Sequence, residues 1–315
     1  MPLFRRESAA ERAAREQQEA RDQASIAALA RGGLPLRAQE RLAQERAPDG
    51  RPRIWTSDLS VDELLAAHAV GFEPVSQVFG SSIYHLAYDP TRFQHNQTGE
   101  LTVFSQALYD ARELAMGRML EEAQTLGAHG VIGVRLEHRE YEWGANLLEF
   151  TAIGTAVRLT GWRGDLPQPF TSDLSGEEFL KLLHAGYVPV ALAMGAAAYY
   201  ILTTWTMEQR LQSWYNQEMA PFTNGVYDAR RLAMSRMVQD ARRVHADGIV
   251  GSDLEIRVEE VSATRQVYNQ WKGEYELETF EDHVIEILAF GTAIAEIGRG
   301  HEAVRPRLAL DLNHA

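Results

Sequence analysis

One block of this chain occurs twice. Tyr109-Asp110-Ala111-Arg112-Glu113-Leu114-Ala115-Met116-Gly117-Arg118-Met119 runs on through Ala123 to Gly130-Val131-Ile132-Gly133. It returns as Tyr227-Asp228-Ala229-Arg230-Arg231-Leu232-Ala233-Met234-Ser235-Arg236-Met237, running through Ala241 to Gly248-Ile249-Val250-Gly251. A duplicated block calls for two copies of one fold, and 315 residues suffice for two domains that each bury a core. The copies also share an entry signal, Thr56-Ser57-Asp58-Leu59-Ser60 with Glu63 and Thr171-Ser172-Asp173-Leu174-Ser175 with Glu178, and an exit tripeptide, Gly154-Thr155-Ala156 and Gly291-Thr292-Ala293.

Local chemistry assigns elements to these signals. Ser60 with Glu63 and Ser175 with Glu178 have capping-box spacing, so a short helix starts at each serine, and Gly71 and Gly186 end it in a left-handed C-cap. An apolar strand follows in each copy, with Gly80 or Gly195 inside it and Tyr84 or Tyr199 at its end. The block itself predicts a helix from about Ser105 to Leu126. Ala111, Ala115, Met119 and Ala123 fall in one i,i+4 row, as do Ala229, Ala233, Met237 and Ala241, and small residues in a row let a helix lie close on a sheet. Arg118 with Glu122 and Arg236 with Asp240 read as solvated pairs of little energetic weight, with an interface ion pair as the alternative. Gly127, Gly130 and Gly248 provide the turn into the next strand. The Gly130-to-Gly133 stretch follows a helix and opens a strand, the reverse of a phosphate-cradling loop, so it reads as a tight turn with close backbone packing. Closing strands are expected over Leu147–Leu159 and Val284–Ile297.

The copies differ in their connections. Asp89 to Gly99 is polar, whereas Met207 to Gly225 carries Trp214, Tyr215 and Phe222, with Trp205 beside it. Those aromatics read as local packing, with a ligand platform or a subunit interface as alternatives. The hairpin from Glu259 to Asp282 is longer than its counterpart, acidic, and contains Tyr268, Trp271 and Tyr275.

The organisation expected is 1–53 as a charged, helical and partly disordered segment with a linker, 54–163 and 164–298 as the two domains, and 299–315 as a tail. Glu7 to Leu29 has good helix propensity but an apolar face made mostly of alanine, so it reads as a solvated helix, with a partner-binding helix as the alternative. A net charge of -13 disfavours nucleic acid and anionic membrane surfaces. No stretch approaches the roughly 20 apolar residues of a membrane span. The chain contains 0 cysteines, which excludes disulfides, thiolate metal sites and cysteine nucleophiles, and fits a cytoplasmic location.

The pattern Tyr-Asp-Ala-Arg-x-x-Ala-x-x-Arg-Met, then Gly-Val-Ile-Gly or Gly-Ile-Val-Gly, then Gly-Thr-Ala, resembles the YbjQ-like family, which carries a heavy-metal-binding label. The resemblance covers most of Phe72–Leu159 and Tyr187–Ile297. It implies an α+β fold of two tandem β-α-β-β units similar in shape to dodecin, each a three-stranded antiparallel sheet on one helix. It further implies assembly into rings of five. Chains of two domains reach rings by two routes: five chains in two stacked tiers, favoured by the unequal loops, or a few chains closing one even-numbered ring. No ligand set is shared by both copies. His85 is matched by Tyr200, His138 by Ile256, and His129 by Asp247, which leaves His129, Asp247, Glu137 and Glu255 as weak metal candidates. No catalytic constellation recurs. The expectation is a noncatalytic, ring-forming assembly or scaffold protein without a cofactor, the alternative being a metal-ion or small-ligand binding protein with sites at subunit seams.

Overall fold

The computed structural model describes residues 9–45, 54–85, 97–140, 147–161, 168–269 and 272–297. The expected tail and most of the polar connection after Asp89 lie outside the described residues.

An N-terminal pair of helices, α1 (Ala9–Leu29) and α2 (Leu36–Glu45), precedes the repeats. The first repeat runs α3 (Val61–Ala69), β1 (Phe72–His85), β2 (Gly99–Glu100), α4 (Thr102–Thr125), β3 (Gly130–Glu140), β4 (Leu147–Leu159). The second runs β5 (Phe170–Thr171), α5 (Gly176–His184), β6 (Tyr187–Ile201), α6 (Trp205–Leu211), α7 (Ala220–Arg243), β7 (Gly248–Asn269), β8 (Glu274–Glu296). The expected connection over Met207–Gly225 is therefore partly helical: it holds most of α6 and the first turn of α7. The long hairpin is a continuous antiparallel ladder, paired out to Asn269 with Glu274.

Both capping boxes form, each serine accepting from the glutamate amide while the glutamate reaches back to the serine N–H. Gly71 and Gly186 take positive φ of 82° and 87°, the conformation that ends each short helix. The long strands pair β1-β4-β3 and β6-β8-β7, all antiparallel. The three-stranded expectation needs correction, because each sheet has a fourth, two-residue strand: β5 beside β3, and β2 beside β6. Both added strands come from the other repeat.

Helix and sheet approach without intervening side chains. A Cβ on Gly80 would stand 2.0 Å from the Ala115 carbonyl oxygen, and one on Gly195 the same 2.0 Å from that of Ala233. The alanine row and the strand glycine thus form one close contact in each copy. Gly133 and Gly251 (φ 62° and 63°) sit where the ladder shifts register, so the expected tight turn is a bulge within the strand.

Candidate assembly interface

Aligned on their shared block, the repeats pack head to tail. The second repeat's sheet buries two faces. Ala193, Ala197 and Ile201 pack on its own α7, while Leu192, Met194, Ala196, Ala198 and Tyr200 point the other way into the core around α4 of the first repeat. The two helices share most of the block's residues, yet α4 buries a second face, including Phe104, Ser105, Leu108 and Arg112, that α7 leaves partly or fully open. The burial of α4 is set by its neighbour.

Backbone pairing seals this contact. Gly99 and Glu100 pair with Tyr200 and Tyr199, the Leu101 N–H donates to the Ala198 carbonyl, and the Ala198 N–H donates to Ser105 Oγ. Arg236 donates through Nη1 to the Ala196 carbonyl and meets Glu100 through Nη2 at 2.6 Å. The Tyr109 hydroxyl donates to Asp240 Oδ1, whose other oxygen accepts the Met194 N–H. Burial first, then the Asp240 charge, pushes the Tyr109 phenol up to about 12. Arg112, 2% exposed, has its carbon centre 4.8 Å from the middle of the Tyr109 ring, and burial pulls its guanidinium down to about 10. Among the described residues its Nε and Nη2 make no hydrogen bond.

At the other end of the contact, the leader of the second repeat lies between two sheets. Phe170 N–H donates to the His129 carbonyl, Ser172 N–H to that of Val131, and Val134 N–H returns to that of Ser172. On its other side the same leader meets its own sheet: Leu192 N–H donates to Thr171 Oγ1, and Asp173 N–H to Thr292 Oγ1. The first repeat repeats these last two bonds, Gln77 N–H to Thr56 Oγ1 and Asp58 N–H to Thr155 Oγ1. The entry and exit motifs are therefore partners. Their joint repetition in the sequence was the signal, although the pairing itself was not read from it. Phe170 and Phe179 complete an apolar cluster with Phe72, Ile132 and Val157 of the first repeat, the rings of Phe72 and Phe179 meeting edge to face at 5.1 Å.

Of the two pairs expected to be solvated, the one in the first repeat is buried, and Arg236 and Asp240 of the second are half-buried. Arg118 and Glu122 are 8% and 2% exposed, and they bond to other groups. Glu122 accepts the Phe79 N–H and pairs with Arg41 of α2, while Arg118 donates to the carbonyls of Ser81 and Gly33. Leu34 and Leu42 are buried against α4, which anchors the end of the N-terminal pair, whereas α1 is largely exposed.

The metal candidates have structural partners. His129 Nδ1 accepts the Leu159 N–H at 3.0 Å, and Asp247 Oδ2 accepts the Glu296 N–H at 2.9 Å. These are equivalent positions doing one job, holding the last amide of the closing strand. Glu137 pairs with Arg139 and Glu255 with Arg257, each within its own strand. Within one chain, no group of three or more His, Asp or Glu side chains placed to hold a metal gathers among the described residues.

Comparison with known proteins gives three relationships. A family described as "Putative heavy-metal-binding" matches residues 78–160 and 201–296. An encapsulin nanocompartment protein of Mycobacterium tuberculosis is 37% identical over 265 residues, covering 83% of this chain and 93% of that protein. A UPF0145 protein of Thermus thermophilus is 51% identical over 61 residues, 19% of this chain and 52% of the shorter protein, and one of Halobacterium salinarum is 46% identical over 72 residues, 22% and 67%.

Proposed function

The chain belongs to the YbjQ-like family, of which it carries two tandem copies, and on that premise we propose that it is a noncatalytic, self-assembling scaffold protein. One observation carries the reading: each repeat lends a strand to the other's sheet edge, through β2 on β6 and β5 on β3. An interface made of different surfaces on its two sides is heterologous, and such an interface propagates into a ring or a filament. The side-by-side placement of the repeats supports a single ring of a few chains, three chains making six domains for instance, over two stacked tiers of five.

The mycobacterial relative is named for a nanocompartment, and we extend to this chain a place in an assembly of that kind, in the cytoplasm. Among the described residues no helix is long and apolar enough to cross a membrane. A second reading, a metal held at seams between chains, draws its support from the family description alone. Native mass spectrometry of untagged protein, purified without chelator, separates the two. The scaffold reading expects a multi-chain particle with a metal-free mass. A stoichiometric metal that is needed for the particle to persist would replace it with the second reading.

A further inference from the structure

Resting on that assembly reading, we infer that the exposed ends of the chain are the two halves of one more head-to-tail junction, and that their occupant is a second copy. The tail is the edge of β7 with the outer face of α7. The head is the leader before α3 with the edge and outer face of β1.

Three incomplete contacts carry this. First, in the internal junction the ring of Phe170 lies over Gly130, its atoms 2.2 Å from where a Cβ would be. At the equivalent Gly248 a Cβ would meet only Ile294 among the described residues, at 3.7 Å or beyond, so no described side chain fills that seat. The residue equivalent to Phe170 is Trp55, 48% exposed among the described residues. The apolar cluster under Gly248 (Leu174, Leu182, Tyr187, Val250, Ile294) has the counterparts of Leu59, Ala67, Phe72, Ile132 and Val157 under Gly130, but lacks the rings that Phe170 of the leader and Phe179 of α5 add there.

Second, Arg118 is a buried cation with no carboxylate within ion-pair distance among the described residues; burial lowers its pKa, with the more distant Glu121 charge acting the other way. Its Nη1 holds the Ser81 carbonyl as Arg236 Nη1 holds that of Ala196. Arg236 completes its bonding with Glu100, and the residue equivalent to Glu100 is Glu218, which is exposed. Leu101 and Met219, which follow them, have nearly the same backbone angles: φ -87°, ψ 78° and φ -91°, ψ 75°. The segment that pairs with a sheet edge in one repeat is thus preset to do so in the other.

Third, the apolar faces match. Phe79 and Ile83 are exposed on β1 where their equivalents Met194 and Ala198 are buried under α4. Tyr227 is 67% exposed on α7 where its equivalent Tyr109 bonds across the junction.

The second junction is not an exact copy: besides Trp55 for Phe170, Leu64 stands where Phe179 does, and two further differences bear on the fit. Gly176, whose Cβ would stand 2.4 Å from the Glu63 carbonyl oxygen, is replaced by Val61, so α3 and α5 of neighbouring chains sit further apart than within one chain. Arg41 already holds Glu122, the counterpart of the Asp240 that Tyr109 reaches.

Complementation tests the inference on the full chain. Gly248→Leu with Glu218→Arg blocks the tail at exposed or open positions, and Trp55→Ala with Ile83→Arg blocks the head. Sedimentation velocity on each double variant alone is expected to show single chains with unchanged circular dichroism. Mixed in equal amounts, they should give a one-to-one pair and nothing larger, because one intact head meets one intact tail. Variants that retain the wild-type particle would overturn the junction while leaving self-assembly standing. Variants that are single chains and fail to pair on mixing would also overturn it. Wild-type protein that is itself a single chain would end the assembly reading, and this inference with it.

Discussion

Phe170 covers Gly130: the ring of one repeat occupies the space a side chain would take on the other, with ring atoms 2.2 Å from the Cβ position. The glycine is there because its neighbour brings the side chain. Phe170→Ala should remove this contact and part of the cluster around Phe72 and Phe179, at a cost of about 2–4 kcal/mol. Gly130→Ala should be at least as damaging through overlap. Urea denaturation of both variants measures this, and a loss below about 0.5 kcal/mol for each would show the repeats are not held together here.

Glycines in the helices and strands separate by what they touch. Gly80→Ala and Gly195→Ala push a Cβ into helix backbone, and each should destabilise by about 1–3 kcal/mol or more. Gly117→Ala, in α4 with nothing within 4 Å of its Cβ, should stabilise by about 0.5–1 kcal/mol through helix propensity. Opposite signs in thermal melts are the expected outcome.

His245 takes φ 56°, the left-handed conformation, at the position where the first repeat has Gly127. A side chain there costs free energy that glycine does not. His245→Gly should raise stability by about 0.5–1 kcal/mol in the same melts. The first repeat, which already has the glycine, offers no such gain.

His138 is stacked on Phe150 at 4.8 Å, and burial first, then Arg257, lowers its pKa to about 4. The unfolded chain therefore binds the extra proton between about pH 6.5 and pH 4, and stability is full above that window and falls as pH drops through it. The loss should be roughly 3 kcal/mol. His138→Ile, which copies Ile256 of the second repeat, should flatten that part of the stability profile. An unchanged acid slope in the variant would place the titration elsewhere.

What the sequence disclosed were the features decided by a few neighbouring residues. The capping boxes at Ser60 and Ser175, the C-cap glycines at Gly71 and Gly186, and the small-residue row under α4 all follow from local chemistry. The interface was hidden because α4 and α7 share the repeated block while only α4 is covered on two sides. For the same reason Arg118 and Glu122 passed for a solvated pair. The two-residue strands β2 and β5 are too short to carry a periodic signal, and α6 lay within a stretch read as a connection. His129 and Asp247 drew attention as side chains capable of binding metal, and geometry gives both the task of accepting a strand-end amide.

The mass of the untagged, full-length particle tests the central claim most directly. Native mass spectrometry should return a whole multiple of the 35.3 kDa chain, with single chains a minor species at micromolar concentration. A dominant single chain under those conditions would contradict it.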